Sequence, residues 1–137
     1  MINRLSLERI HEARRVVFEQ AEADGRKMAF AVVDEAAALV FAERMEGCDA
    51  RVLVHAMRKA YTSATMKRST LFFRDQNAEL GKTLADWGGA ELTALPGGVE
   101  VQIGSEWYGA IGVGGNTPER DVELAELARK LLCPDPR

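Results

Sequence analysis

Asp34 and Lys59 are the residues of this sequence best suited to acid–base chemistry on a small carboxylated molecule. Asp34 follows the apolar run 31–33 at the expected end of a strand and could accept a proton, while Lys59 could hold a carboxylate. Their spacing in the sequence does not show that they meet, and a plain turn role for Asp34 is the alternative. Thr62 and Ser63 stand among basic residues and form no nucleophilic triad, so covalent catalysis is not predicted.

His11 and His55 are the only histidines, and they fall on different predicted helices. Neither belongs to an HxxxH or HxxE spacing, so each is a candidate axial donor to a bound iron rather than part of a histidine metal site. For His55, which adjoins an apolar helix face, a core position is the alternative. Cys48 and Cys133 form no CxxC pair and are expected to stay thiols in a reducing compartment.

A glycine-rich segment from Trp107 to Glu119 is the most informative stretch of the chain. Its pattern predicts a buried strand followed directly by a helix, with Thr117 as N-cap and Pro118 at the first helical position. Glycine weakens a strand, so four of them in this segment indicate close packing, a bend or a binding surface. A planar ligand and a helix or subunit contact are both compatible with the pattern.

The elements that position these residues follow from hydrophobic periodicity and turn residues. The order is helix, two strands, two helices, three strands and helix, which predicts an α/β fold of the α+β type with a five-stranded antiparallel sheet flanked by helices. Leu80, Leu84 and Trp87 are expected to face inward. The predicted helices run between Ser6 and Gly25 and over 51–68, 75–87 and 118–132, and the predicted strands cover 28–33, 39–45, 92–95, 99–103 and 106–113.

Length and composition limit the kinds of partner. The 137 residues, 47% of them hydrophobic, predict a single domain over 1–137 with its core at about 5–132. A net charge of −3 without a basic cluster argues against nucleic acid, and the absence of a long apolar run argues against a membrane span or signal peptide, so a cytoplasmic location is expected. Trp107 and Tyr108 on a strand near a sheet edge predict a homo-oligomer.

Four local motifs occur together in this order. With that spacing the chain resembles the GlcG/HbpS family, also called the haem-degrading domain family, over about 5–132. The motifs are AVVD (31–34) with LVFAERMEG (39–47), RKAYTSA (58–64), LPGGVEV (95–101) and GAIGVGG (109–115).

The resemblance implies a profilin-like fold, a compact multi-subunit assembly, and haem or a related tetrapyrrole as a non-covalent ligand. Some members form the C-terminal domain of PduO-type corrinoid adenosyltransferases, and others accompany glycolate use or aromatic degradation. Two segments depart from the family pattern. Residues 35–38 lack a turn glycine, and 54–57 lack the paired acids that would hold ferric iron.

A porphyrin site needs a flat apolar slot, cations near the propionates and an optional axial donor. Arg44 and Lys59 are the preferred cations, although either could instead pair with Asp34, Glu43 or Glu46. The slot is expected from Leu95, Pro96, Gly97 and Gly98 together with Gly112, Gly114 and Gly115.

Two other functions remain open. One is a small enzyme that acts on a carboxylated intermediate of aromatic or hydroxy-acid degradation through Asp34 and Lys59 or Arg44, and the other is an accessory subunit without a ligand. A dinucleotide site is not predicted, because Thr117 stands where the third glycine of GxGxxG would be.

Overall fold

The computed structural model describes residues 4–133. Four helices pack on a four-stranded antiparallel sheet whose strand order is β2-β1-β4-β3. In chain order the elements are α1 (Leu7–Ala23), β1 (Ala29–Asp34), β2 (Leu39–Arg44), α2 (Ala50–Met66), α3 (Thr70–Leu80), a 3₁₀ turn (Leu84–Trp87), β3 (Gly98–Ile103), β4 (Glu106–Gly114) and α4 (Pro118–Leu132).

The sheet lies between two helical layers. Helix α2 packs across β1, β4 and β3 on one face, and α4 packs with α1 against the other face. The helix ends match the capping residues in the sequence. Ser6 caps α1 through the Arg9 amide, and Thr117 caps α4 through the Arg120 amide with Pro118 behind it.

Gly112 allows α2 to approach the sheet more closely than any other residue would. A Cβ at this position would overlap the carbonyl oxygen of Ala56 and lie 2.8 Å from the amide nitrogen of Ala60. Ala56 and Ala60 are fully buried and belong to the predicted alanine stripe of this helix. The glycine-rich strand therefore serves helix-to-sheet packing at Gly112.

The prediction of a fifth strand over 92–95 is wrong. The amide of Thr93 donates to the side-chain oxygen of Thr62 at 2.9 Å, and the amide of Leu95 donates to the hydroxyl of Thr93. These amides bind side chains, so the segment does not join the sheet. The likeness to profilin stays a prediction.

The helix predicted over 75–87 is displaced. Ser69 accepts the Phe72 amide, so α3 begins at Thr70, and Gly81 ends it in the left-handed conformation. Leu80, expected to face inward, is 56% exposed, whereas Phe73 is fully buried. The 3₁₀ turn at Leu84–Trp87 is separate from α3. Leu84 and Trp87, which were also expected to face inward, are half-buried.

Replacing Gly112 by alanine should destabilise the protein strongly. The new methyl group would meet backbone on α2, which cannot rotate away, so the loss should reach about 3 kcal/mol or exceed it. Gly25→Ala is the matched control. Its Cβ would meet nothing within 4 Å, so only left-handed strain of about 1 kcal/mol is expected. Urea unfolding measures the stability of both variants, and equal unfolding midpoints for the two would contradict the packing argument.

Candidate functional site

A cleft of about 250 Å³ lies where the end of β4 meets the start of α4, and we call it the Lys59 cleft. One wall is α2, and the opposite walls are the 95–96 loop and the 114–118 turn. Its lining residues are Arg51, Val52, His55, Lys59, Leu95, Pro96, Gly114, Gly115, Asn116, Pro118 and Asp121.

Three basic or titratable side chains of α2 face this cleft at intervals of four residues. Arg51, His55 and Lys59 occupy successive turns, and four residues rise about 6 Å along a helix. Exposure decreases along the row. Arg51 is exposed, His55 is half-buried and Lys59 is 3% exposed. The cleft thus runs from an open cationic rim to a buried ammonium.

Lys59 ends in a pocket that backbone atoms form around its ammonium. Its Nζ donates to the carbonyl oxygen of Val113 at 2.8 Å and to Oδ2 of Asp121 at 3.3 Å. Glycines on both sides leave room for it. A Cβ on Gly97 would lie 3.0 Å from Nζ, and one on Gly114 would lie 3.3 Å from it. The third hydrogen of Nζ has no acceptor within residues 4–133, so it is available to a ligand.

Asp121 is the acidic partner of Lys59, and it also holds the turn that precedes α4. Its Oδ1 accepts the amide of Asn116 at 3.1 Å. Burial raises the pKa of the Asp121 carboxyl, against the opposing effect of Lys59. Burial likewise lowers the pKa of the Lys59 ammonium, against the opposing effect of Asp121. Desolvation therefore makes the lysine a stronger acid and the aspartate a stronger base than either is in water.

His55 presents an imidazole to the cleft that is neutral at neutral pH. Burial lowers its pKa below the ordinary 6.5, and the nearby cations Arg51, Lys59 and Arg58 lower it further. A neutral imidazole has a free nitrogen lone pair, which is the form that coordinates iron.

The cleft brings together most of the residues predicted for a flat ligand slot. Gly97 lies directly behind the Lys59 ammonium. Gly98 and Gly112 instead lie under α2, where added Cβ atoms would meet the backbone carbonyls of Lys59 and Ala56 respectively. The predicted residues that line the cleft are His55, Lys59, Leu95, Pro96, Gly114 and Gly115.

Asp34 lies at the other end of the sheet from the Lys59 ammonium. Lys59 reaches Val113, which pairs with Phe30, whereas Asp34 pairs with Gly109. Four residues of a strand separate these points by about 13 Å. The Asp34 carboxylate accepts the amides of Ala36 and Ala38 in the β1–β2 turn, so the structure does not bring Asp34 and Lys59 together.

Arg44 and His11 also lie outside the cleft. Arg44 ends β2 and donates to the carbonyl oxygen of Cys48 at 3.1 Å. His11 is exposed on α1, and its ring meets the ring of Phe41 edge-on at 5.6 Å. The two predicted cations Arg44 and Lys59 therefore line different surfaces.

Sequence reasoning missed Arg51 and Asp121. Arg51, His55 and Lys59 recur every four residues on a helix without glycine or proline, and this spacing could have indicated that they share one face. Asp121 stands four residues after the Thr117 cap, but nothing in the sequence joins it to a lysine 62 positions earlier.

Within residues 4–133, no group of three or more histidine, cysteine, aspartate or glutamate side chains could hold a metal ion. In the same part of the chain, no helix has both the length and the apolar character needed to cross a membrane.

Lys59→Met should destabilise the fold by about 3–5 kcal/mol, because it leaves the Asp121 carboxylate buried without its counter-ion. Adding Asp121→Asn to that variant removes the stranded charge and should recover part of the loss. Chemical unfolding of the two single variants and the double variant measures the coupling. Strictly additive losses would show that the two side chains do not interact.

Comparison with known proteins places this architecture among solved structures. A Klebsiella pneumoniae protein, ORFY, superposes with a TM-score of 0.86 at 21% identity, covering 98% of this chain and 94% of that one. A complex of PduOC with haem superposes with a TM-score of 0.81 at 22% identity, covering 93% of this chain and 94% of that one. A double mutant of Streptomyces reticuli HbpS, with two glutamates changed to aspartate, superposes with a TM-score of 0.83 at 28% identity. The match covers 96% of this chain and 89% of that one.

The search of curated proteins gave no match to this sequence. The model of the HbpS-like family, described as haem degrading proteins, matches residues 5–130. That match spans nearly the whole chain and includes every residue that lines the Lys59 cleft. This protein therefore belongs to the HbpS-like family of haem-degrading proteins.

Proposed function

We propose that this protein binds haem or a related tetrapyrrole non-covalently, with one edge of the ligand in the Lys59 cleft. The observation that carries the proposal is the row of Arg51, His55 and Lys59 opposite a wall of proline and glycine. Family membership supports it, as does the haem held by PduOC, a protein of the same fold.

The side chains of the cleft suit the chemistry of an iron porphyrin. Arg51 and the free hydrogen of the Lys59 ammonium can meet propionate carboxylates, and the His55 imidazole can donate to iron. Val52, Pro96 and Pro118 provide apolar contact for the ring. The macrocycle supplies redox-active iron when bound. The residues of this chain hold and orient it.

The size of the cleft limits how the ligand sits. Its volume of about 250 Å³ is below the roughly 300–1,000 Å³ of typical small-molecule sites. A tetrapyrrole would therefore insert its propionate edge and leave the opposite edge over Leu95, which is 46% exposed. Such partial enclosure favours reversible binding.

We also propose that the protein forms a homo-oligomer. Trp107 and Tyr108, from which this was predicted, lie on β4, which is an interior strand. The support comes instead from edge strand β2 and its neighbour α2, where Leu39 is 54% and Val54 43% exposed. Both line an apolar groove of about 320 Å³ that also includes Val33, Met57 and Tyr61. A second copy would cover this apolar surface.

Titration with hemin tests the ligand. The wild-type protein should give a saturable Soret shift at one equivalent per chain, and His55→Ala should change the band position and weaken binding about tenfold, equivalent to about 1.4 kcal/mol. His11→Ala is the matched control and should behave as wild type. A Soret band that does not shift, or one that shifts without saturating, would rule out the proposal.

The dimethyl ester of hemin tests the role of the cations. It keeps the ring and the iron but lacks the propionate charges, so binding should weaken about tenfold or more, because hydrogen bonds to charged groups contribute about 1.5–3 kcal/mol. Arg51→Gln should weaken hemin binding but not ester binding. Equal affinity of the wild-type protein for hemin and its ester would show that the cations do not hold the ligand.

Sedimentation velocity tests the oligomer. Leu39→Glu and Val54→Glu place charges in the apolar groove and should lower the sedimentation coefficient toward that of a 15.1 kDa monomer. Leu80→Glu, at an equally exposed leucine on α3, should have no such effect. If the groove variants sediment like wild type, this surface is not the interface.

A further inference from the structure

We infer that the Lys59 cleft also binds a small 2-oxo acid and catalyses its keto–enol exchange, with Lys59 and Asp121 as acid and base. This activity goes beyond tetrapyrrole binding and does not depend on it. It requires an acid and a base that face one small cavity, together with an anchor for the carboxylate of the substrate.

The first support is the position of the pair. Nζ of Lys59 and Oδ2 of Asp121 are 3.3 Å apart, both line the cleft, and their side chains are 4% and 6% exposed. They come from different elements, α2 and α4, so the fold itself assembles them. A substrate atom placed against both would lie within hydrogen-bond reach of a donor and an acceptor.

The second support is the effect of burial on each group. The pKa of Lys59 is lowered and the pKa of Asp121 is raised, both chiefly by desolvation. Each shift moves the group toward the role that the reaction requires. The lysine gives up its proton more readily than in water, and the carboxylate takes one more readily.

The third support is the match of size and charge to a small acid. The cavity of about 250 Å³ accommodates a molecule of pyruvate size more completely than a macrocycle. Arg51, at the open rim, makes no ion pair within the part of the chain that the structure describes, so its guanidinium is free to bind a carboxylate. His55 lines the cleft one helical turn from each of them, between the rim and the ammonium.

The proposed exchange balances without any co-reactant other than water. The C3–H bond of the oxo acid breaks, and its proton passes to the Asp121 carboxylate. The bonding electrons form the C2–C3 double bond while the carbonyl oxygen takes a proton from the Lys59 ammonium, giving the enol. The proton on Asp121 then exchanges with solvent. In the reverse steps Asp121 delivers this solvent proton to C3 while the enol hydroxyl returns its proton to the Lys59 amine, which restores the ketone and both side chains.

This assignment replaces the pair expected from sequence. Asp34 is engaged in the β1–β2 turn and Arg44 with the Cys48 carbonyl, so neither reaches the ammonium. Asp121 takes the part of the proton acceptor, and Arg51 takes that of the carboxylate anchor. Lys59 alone keeps a place in the reaction.

Proton NMR of pyruvate in D₂O tests the inference on the purified full-length protein. The wild-type protein should accelerate loss of the methyl signal at least tenfold over buffer containing an equal concentration of serum albumin. Asp121→Asn keeps the shape and the acceptor for the Asn116 amide but removes the base, so the rate should fall about 100-fold or to the background. A wild-type rate equal to the albumin control would overturn the inference.

Arg58→Gln is the matched control, because Arg58 lies on the same helix but lines the apolar groove instead of the cleft. Its exchange rate should equal that of wild type. Arg51→Gln, at an exposed position, should raise KM about tenfold with little change in kcat, and it remains informative if Asp121→Asn fails to fold. An unchanged KM in Arg51→Gln, or full activity in a folded Asp121→Asn protein, would contradict the assignment.

The same variants separate this activity from the proposed function. Asp121 is not proposed to touch a tetrapyrrole, so Asp121→Asn should lose exchange and still bind hemin. Hemin binding without pyruvate exchange in the wild-type protein would overturn only this inference. Exchange without hemin binding would overturn only the proposed function.

Discussion

The contact between Lys59 and Asp121 is the interaction on which the working part of this molecule depends. It joins the helix on one face of the sheet to the start of the final helix, and it crosses the end of β4 through the Val113 carbonyl. The ammonium reaches that point because α2 approaches the sheet closely at Gly112, and Gly97 and Gly114 place no side chain in its way. The glycines, the alanine face and the ion pair therefore form one arrangement.

Stability alone does not account for a buried ion pair at the base of a cleft. Removing two charges from water is costly, and well-packed apolar residues often replace such pairs without loss of stability. Here the hydrogen bonds to the Val113 carbonyl and from the Asn116 amide offset part of the cost. One ammonium hydrogen still lacks a protein acceptor among residues 4–133. That incomplete satisfaction, beside an open cavity, is typical of a ligand site.

Local rules predicted the parts of the fold that local interactions determine. The caps at Ser6 and Thr117, the alanine stripe of α2 and the β1–β2 hairpin are confirmed, since each depends on neighbours within a few residues. The prediction of a strand at 92–95 is wrong because amides there donate to the hydroxyls of Thr62 and Thr93. The position of Thr62 beside this segment depends on tertiary contacts. The same limit applies to the site. Lys59 was identified, but its partner lies 62 residues away, and only the assembled sheet brings Asp121 to it.

Two proposed ligands in one cleft have a physical consequence for each other. Both place a carboxylate against Arg51 and an oxygen against the free hydrogen of Lys59, and the cavity of about 250 Å³ cannot hold both at once. Their binding must therefore be mutually exclusive, and a bound tetrapyrrole would inhibit exchange by occupying the acid and the anchor. The competition is reciprocal, but a small acid would displace the tetrapyrrole only at a much higher concentration, because it lacks the apolar ring contacts and the iron donor that would add to tetrapyrrole affinity. Such asymmetry would make the haem-bound form a catalytically silent state of the same cleft.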